Sequence, residues 1–254
     1  MKKIQYASDF HLEFPANSHW LAEHPLEAVG DVMVLAGDIT VLSDRPRGDA
    51  DFLDWCAAHF EHTFIVPGNH EFYKGGDVLA SLEGMELELR EGVTVLNNRS
   101  VVIDDTELFF TTLWTHIPPT DIALVDRELN DCEQVAYGNR RFNANDYDVA
   151  HARCLRWLKG ALAASTAAHK VVVTHHCPID VEDPRYASNG LKWAFIVPLE
   201  RFIMDSGVDH WIYGHTHYNG GDGMEVGHTR MHTNQMGYVR HGVCDNFKAA
   251  AVIV

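Results

Sequence analysis

The stretch KVVVTHHCP, residues 170–178, is an apolar run that stops at two adjacent histidines, His175 and His176. Short continuous apolar runs of this kind are typical of strands that are buried on both faces. Successive side chains of an extended segment point to opposite faces, so two adjacent histidines are not expected to serve one site. The stretch therefore predicts a buried strand that presents one of its two histidines to a given site.

Four other apolar runs end in the same way. They cover residues 2–8, 31–37, 63–68 and 209–214, and they end at Asp9, Asp38, Asn69 and His215. Helical patterns lie between several of these runs, and alternation of strands and helices argues for an α/β domain with layered sheets. In such folds ligands gather beyond the carboxyl ends of the strands. The five strand ends therefore predict one shared site.

The clearest helical pattern covers residues 145–164, where Leu155, Leu158 and Leu162 recur at spacings of three and four. Asn145 is the expected N-cap, with Asp148 in the capping-box position three residues later. Further elements are a helix at 49–60, a helix at 75–89 and a hairpin at 100–112 that turns at Asp104-Asp105.

Composition limits the class of protein. The 254 residues, 46% of them hydrophobic, suit one large domain over 1–254. The net charge of −16 disfavours long nucleic acids as partners. Five cysteines form no C-x-x-C pair, which argues against a disulfide framework and for a reducing compartment. With no signal peptide and no apolar segment long enough to span a bilayer, we expect a cytoplasmic protein without membrane contact, in an oligomeric state that stays open.

The strand ends carry residues that bind metals. SDFH contains Asp9 and His11, and YGHTHY contains His215 and His217. On an extended loop, this spacing of two residues places both side chains of a pair on the same side. Any one such motif is weak on its own. Their occurrence together, in order and each at a predicted strand end, is a much stronger signal.

In that order the blocks resemble the calcineurin-like metallophosphoesterase family, whose pattern is D-x-H, G-D, G-N-H-[DE], a lone H and G-H-x-H. The similarity extends from Asp9 to His217, and SDFHLEF and VVVTHHCP resemble the bacterial single-domain members. The resemblance implies a two-layer β-sandwich flanked by α-helices. It also implies a dinuclear metal centre at one edge of the sandwich.

The resemblance assigns ligands to two metal ions. One ion would be held by Asp9, His11, Asp38 and His217, and the other by Asp38, Asn69, His175 and His215. Asp38 is the shared ligand, a role that suits a carboxylate because its two oxygens can bridge two ions. Nitrogen and oxygen donors suit Mn, Fe, Zn, Co or Ni and do not choose among them.

The implied reaction is hydrolysis of a phosphomonoester or phosphodiester by a hydroxide that two metals activate. His70 would donate to the phosphate or protonate the leaving group, since the pKa of imidazole lies near neutrality. The alternative is that His70 only orients its loop through a hydrogen bond. Glu71 is expected to support the ligands and Cys177 to pack in the core.

Substrate contacts are less determined. The candidates are Trp114, His116, Asn189 and Trp193, and for each of them packing or surface placement is at least an equal alternative. His176 either supports a ligand or faces the substrate, which is slightly favoured, or packs on the opposite side of the strand end. Residues 234–238 are expected to turn back toward the site. Arg140-Arg141 could bind phosphate, although a solvated basic pair is favoured. The expected partner is a small phosphoester.

The alternative to hydrolysis is a non-catalytic protein-interaction module on the same fold. Such a module is expected to have lost ligands, and none is missing here. A zinc peptidase is disfavoured because the chain has no H-E-x-x-H motif.

Overall fold

Two six-stranded β-sheets pack face to face, and helices cover their outer faces. This computed structural model describes residues 2–43, 47–181, 183–184 and 190–253. Its strands are β1 (Ile4–Ala7), β2 (Val32–Leu35), β3 (His62–Ile65), β4 (Met85–Arg90), β5 (Val93–Asn97), β6 (Arg99–Ile103), β7 (Thr106–Thr111), β8 (Ala136–Tyr137), β9 (Arg140–Arg141), β10 (His169–Thr174), β11 (His210–Ile212), β12 (Glu225–Val226), β13 (Thr229–His232) and β14 (Val252–Ile253). Its helices are α1 (Pro15–Glu23), α2 (Arg47–His59), α3 (Val78–Ser81), α4 (Ile122–Glu128), α5 (Asp131–Gln134), α6 (Ala144–Ala164) and α7 (Glu200–Asp205). The predicted two-layer sandwich is confirmed.

Parallel strands form the centre of both sheets. The first sheet has the order β14-β1-β2-β3-β5-β4 and the second β12-β13-β11-β10-β7-β6. The chain runs parallel from β1 through β2 and β3 to β5, and from β7 through β10 and β11 to β13. The carboxyl ends of these strands meet at one edge of the sandwich, where the five motifs lie. The predicted strands at all five apolar runs are confirmed.

The apolar runs are continuous because each strand packs on two sides. In β2, Val32 and Val34 belong to the cluster between the sheets, whereas Met33 and Leu35 belong to the cluster under α1 and α2. In β10, Val171 and Val173 face the other sheet, and Val172 packs under α6 and α7. A strand covered on one face only would alternate apolar and polar residues instead.

The long helix α6 is present, but its predicted cap was wrong by two residues. Asn143 is the N-cap, and its side chain accepts a hydrogen bond from the Asn145 amide at 3.0 Å. The Asp146 carboxylate closes the capping box by accepting from the Asn143 amide at 2.9 Å. Asp148, which was expected in that role, instead accepts from the Ile117 amide at 2.9 Å. It thereby ties α6 to the loop that follows β7.

The predicted helix at 75–89 was wrong for most of its length. Only the four residues of α3 are helical, and Gly84 then adopts a φ of 106°, a conformation that ends a helix. The segment after it alternates exposed Glu86 and Glu88 with Leu87 and Leu89, which pack on the core. A period of two is the pattern of a strand, and the segment forms β4 at the edge of the first sheet.

The remaining elements follow the sequence. Helix α2 covers most of 49–60, and β6 and β7 form the hairpin predicted at 100–112, with its turn at Asp104-Asp105. The five cysteines are buried and are not joined in disulfides. Within the described ranges, no helix combines the length and apolar character that crossing a membrane requires.

Candidate metal centre

The strands end in an unusual backbone conformation at the predicted ligands. Five of these residues have a positive φ: Asp9 (59°), His11 (48°), Asp38 (55°), His215 (75°) and His217 (49°). Non-glycine residues rarely adopt this region, and each instance costs about 1–3 kcal/mol. The expectation of an extended D-x-H and H-x-H loop was therefore wrong. The paired side chains converge because the chain turns sharply at each of them.

Two glycines allow the strand-end loops to approach the ligands closely. A Cβ on Gly214 would lie 2.7 Å from Asp9 Oδ2, and a Cβ on Gly68 would overlap Asp38 Oδ1. Real Cβ atoms do not come so near to oxygen. Glycine is therefore required at these positions of the G-H-x-H and G-N-H blocks, because any side chain would overlap the carboxylate of Asp9 or Asp38.

One set of four side chains, the first ligand group, consists of Asp9, His11, Asp38 and His217. One potential ligand atom from each lies within 4.8 Å of those of the other three. His11 Nε2 is 2.9 Å from His217 Nε2 and 3.7 Å from Asp38 Oδ2, and His217 Nε2 is 3.3 Å from Asp9 Oδ1. The structure thus brings together the four residues expected around one ion.

The second ligand group consists of Asp38, Asn69, His175 and His215. His175 Nε2 is its centre, at 2.9 Å from His215 Nδ1, 3.1 Å from Asn69 Oδ1 and 3.5 Å from Asp38 Oδ1. Asp38 presents one oxygen to each group, as a shared ligand requires. Of the two adjacent histidines that follow β10, His175 belongs to this group and His176 does not.

Hydrogen bonds at the far side of each ring show that these nitrogens are suited to a cation. His175 Nδ1 donates to the Ala36 carbonyl at 2.8 Å, which leaves Nε2 with a lone pair. His215 Nε2 lies 3.3 Å from the Ala194 carbonyl, which leaves Nδ1 with a lone pair. When both rings are neutral, the two lone pairs face each other across 2.9 Å, an arrangement that a metal ion between them would satisfy. The donor set therefore fits a divalent cation.

The charges in this cluster act strongly on one another. Burial alone would raise the pKa of Asp38, but the His175 and His70 imidazoles outweigh burial and hold it well below its usual range. Burial likewise lowers the pKa of His175, but the Asp38 carboxylate raises it to about 9. Without a cation, His175 therefore carries a proton at neutral pH, and its positive charge offsets the negative charge of the Asp38 carboxylate.

His70 lies beside the ligands and is held by a carboxylate. Its Nδ1 is 2.7 Å from Glu13 Oε1, and its Nε2 is 3.2 Å from the Tyr238 hydroxyl. The same Glu13 oxygen lies 3.2 Å from His11 Nδ1, so one carboxylate holds both rings. Burial opposes protonation of His70, but Asp38 and Glu13 raise its pKa to about 9. His70 is thus prepared to carry a proton.

Glu71 ties together the loops that carry the shared ligand. Its carboxylate accepts hydrogen bonds from the amides of Asp38 (2.9 Å), Ile39 (2.8 Å) and Gly68 (2.7 Å). Burial, together with the nearby Asp38 charge, raises the pKa of Glu71 to about 7. Glu71 therefore supports the ends of β2 and β3 through the main chain.

A cavity of about 330 Å³ opens on the ligands. Its polar base includes Asp38, Asn69, His70, His215 and His217. Its walls include the aromatic and apolar side chains Tyr73, Leu129, Phe195, Ile196 and Tyr238. The volume is that of a site for a small ligand.

The expected substrate contacts do not gather at this cavity. Trp114 is fully buried among Phe142 and Tyr147, because the loop after β7 turns into the core beneath α6. His116 points to solvent and pairs with Asp148 at 3.0 Å. Neither residue lines the cavity.

The remaining candidates were His176, Asn189 and Trp193. His176 is fully buried, and its ring packs between those of Trp114 and His215, with Nδ1 3.1 Å from the Thr112 carbonyl. It packs against the predicted ligand His215 and does not line the cavity. Asn189 lies outside the described residues. Trp193 packs on the core, with the Lys192 ammonium 5.1 Å from the centre of its ring.

Two basic and polar segments were also singled out in the sequence. Arg140 pairs with Asp146 at 2.6 Å on the exposed strand β9, away from the ligands. Residues 234–238 do turn back toward the ligands. Gln235 Oε1 accepts a hydrogen bond from the His217 amide at 2.5 Å, and Tyr238 lines the cavity beside His70.

Comparisons with known proteins agree with this geometry. Calcineurin-like phosphoesterases match the chain over residues 3–219. The chain belongs to this family. Within known proteins, the uncharacterized protein L509 of Acanthamoeba polyphaga mimivirus is 24% identical over 268 residues, which cover 94% of this chain and 92% of that protein.

A solved structure shows the same fold as this member of the family. The phosphopantetheinyl hydrolase of Mycobacterium tuberculosis superposes with a TM-score of 0.67 over 99% of this chain and 95% of that chain. The two sequences are 15% identical, so the likeness concerns the fold.

Sequence reasoning missed the residues that hold His70. Glu13 lies two positions after His11 in SDFHLEF, just as His11 lies two positions after Asp9. This repeated spacing could have indicated that Glu13 lies on the same side of the chain as the two predicted ligands. Tyr238 offered no local signal beyond its place in the 234–238 segment. Its role is visible only in the contact with His70, which is 168 positions away along the chain.

Proposed function

We propose that this protein hydrolyses a small phosphomonoester or phosphodiester with the help of two metal ions. One observation carries the proposal. Nitrogen lone pairs and carboxylate oxygens converge around the shared Asp38 at the base of a cavity, in two groups that each fit a cation. The first group would hold one ion and the second group the other.

The charge balance supports an anionic substrate. Of the seven predicted ligands, only Asp9 and Asp38 are carboxylates, so two divalent ions would leave the centre positive. Such ions, when bound, lower the pKa of water and neutralise charge on a phosphoryl group. Asn69 and the four histidines contribute donor atoms without adding negative charge. A net positive centre would draw a phosphate ester into a protein whose net charge is −16.

His70 is the proposed acid of the reaction. Glu13 holds Nδ1, which leaves Nε2 at the cavity beside Tyr238. From there Nε2 can donate to a phosphoryl oxygen or give its proton to the leaving oxygen. The raised pKa, about 9, keeps that proton available at neutral pH. The Glu13 carboxylate orients the ring and stabilises its charged form.

The cavity supports a small substrate. Its 330 Å³ would accommodate a phosphate with a modest leaving group, and its apolar walls would exclude water around the reacting atoms. A long nucleic acid would need an extended basic surface, and the overall charge has the opposite sign.

The proposal is tested with bis-p-nitrophenyl phosphate and p-nitrophenyl phosphate, each offered to protein that has been stripped of metal and reloaded with Mn²⁺. We expect Mn²⁺-dependent release of p-nitrophenol from at least one of them, and the ratio of the two rates separates diesters from monoesters. The Asp38→Ala variant, purified in the same way, controls for contaminating phosphatases. If the wild-type protein binds no metal and hydrolyses neither ester, the alternative of a non-catalytic interaction module takes its place.

A further inference from the structure

A carboxylate outside the five motif blocks lines the cavity and contacts Asn69 of the second ligand group. Asp131 begins helix α5, in the segment between β7 and α6, and is 4% exposed. Its Oδ1 accepts hydrogen bonds from Asn69 Nδ2 at 2.8 Å and from the Tyr73 hydroxyl at 2.7 Å. Its Oδ2 accepts from the Tyr147 hydroxyl at 2.5 Å. Three donors thus offset the cost of burying this charge.

The contact with Asn69 decides which way its amide faces. A carboxamide has one end that donates and one that accepts, whereas a carboxylate only accepts. With Nδ2 bound to Asp131, Oδ1 of Asn69 faces His175 Nε2 at 3.1 Å. The reverse orientation would place an N–H group among the ligands and an oxygen against a carboxylate. Only the observed orientation offers a metal ion an oxygen.

The same carboxylate also reaches His70 through a tyrosine. The Tyr73 ring stacks on the His70 imidazole, with the ring centres 4.1 Å apart and the planes at 24°. The Tyr73 hydroxyl is the group that Asp131 holds. Asp131 thus anchors the ring against which the proposed acid rests.

We propose that Asp131 is a positioning residue that orients Asn69 as an oxygen ligand of the second ion and steadies His70 through Tyr73. This inference rests on the function proposed above, since it takes Asn69 to be a metal ligand. It assigns a role in metal binding to the segment between β7 and α6, which contains none of the motif residues. Asp131 acts through Asn69 and Tyr73 and is not itself a ligand.

The test measures Mn²⁺ binding by titration calorimetry on metal-stripped protein. The wild-type protein should bind two equivalents, and Asp131→Ala, which removes the acceptor of Asn69 Nδ2, should weaken one of them by about 10–100-fold, the usual effect of losing a residue that orients a ligand. The matched control is Asp126→Ala. Asp126 lies in the same segment and accepts from the Ala144 amide at 2.7 Å, but it does not contact the ligand groups. This control should keep both affinities.

A double-mutant cycle separates orientation from a merely structural role. In a chain that already carries Asn69→Asp, the side chain at 69 has two equivalent oxygens and no donor end for Asp131 to orient. Asp131→Ala should then cause no loss of Mn²⁺ affinity. Equal losses in both backgrounds would show that Asp131 acts by its charge or by supporting the fold, and would overturn the inference.

The two proposals fail in different ways. If the wild-type protein binds no Mn²⁺, the proposed function fails and the inference with it. If it binds two equivalents and Asp131→Ala binds both with unchanged affinity, only the inference fails. Should Asp131→Ala not fold, the side-chain amide protons of Asn69 decide the question in Mn²⁺-free wild-type protein by NMR. Slow exchange with solvent is expected, and fast exchange would overturn the inference.

Discussion

The two ligand groups differ in what stands behind their histidines. In the second group, the far nitrogens of His175 and His215 face the main-chain carbonyls of Ala36 and Ala194. In the first group, the far nitrogen of His11 faces the Glu13 carboxylate, which also holds His70. A main-chain carbonyl does not titrate and is not removed by a side-chain substitution. The ring orientations of the second group are therefore fixed by the backbone. The first group is instead linked to the proposed acid through one ionisable side chain.

The largest effect is expected from the residue that the two groups share. Asp38→Ala removes an oxygen from each group at once, so the variant should lose both metal ions and all turnover. Metal content is measured by elemental analysis after reloading with Mn²⁺ and desalting. Retention of one full equivalent would show that the groups bind independently of Asp38.

A substitution at His175 should disrupt the second group alone, and the neighbouring His176 provides a matched control. His175→Ala should lose one metal equivalent, because Nε2 of His175 is the centre of that group. His176→Ala should keep both equivalents and lower the melting temperature, because it leaves a cavity at a fully buried packing position. Elemental analysis and thermal denaturation of the two variants check this. The opposite pattern of metal loss would reverse the assignment of the ligand within THHCP.

The proposed acid can be removed while both groups stay intact. His70→Ala should keep two metal equivalents and lower kcat by about 10²–10⁴-fold, the usual contribution of a general acid. The measurement is turnover of the better p-nitrophenyl ester at matched metal content. Unchanged turnover would leave His70 with only the role of orienting its loop.

Glu13 tests the link between the first group and the acid. Glu13→Gln replaces a charged acceptor of both His11 and His70, so metal affinity and turnover should fall together, the affinity by about 10–100-fold at one site. Calorimetry and kinetics on the same preparation compare the two effects. A fall in turnover with unchanged affinity would separate His70 from the first group.

The smallest expected effect is on stability in the absence of metal. The folded-state pKa values of His175 and His70, about 9, lie above the ordinary 6.5. Their protonation therefore stabilises the fold in full below pH 6.5, and this contribution is lost as the pH rises to about 9. The melting temperature of metal-stripped protein should fall between pH 6.5 and 9, and Mn²⁺ should reduce the fall. A melting temperature that rises over this range would contradict the raised pKa values.

Local patterns predicted the strands, most of the helices and the residues that converge. They failed where two patterns overlapped, as at 75–89, where apolar residues spaced as in a helix also alternate as in the strand β4. They failed again at Trp114 and His116, because a motif near a strand end does not reveal whether its loop turns into the core or out to solvent. The positive φ values at five of the predicted ligands were also missed. Sequence rules assign that conformation to glycine and do not predict it for aspartate or histidine at a strand end.

The sequence by itself determined the family and the succession of strand-end motifs, and through the family resemblance it predicted seven donor residues, His175 among them. Only the tertiary structure decided that Glu13 holds His70, that Asp131 faces Asn69 and that His176 packs between Trp114 and His215. The physical reason is distance along the chain. A motif is a local pattern, and it shows which side chains lie at the end of one strand. The hydrogen bonds of His70 with Glu13 and of Asn69 with Asp131 join residues 57 and 62 positions apart, so they depend on how the loops pack over the two sheets.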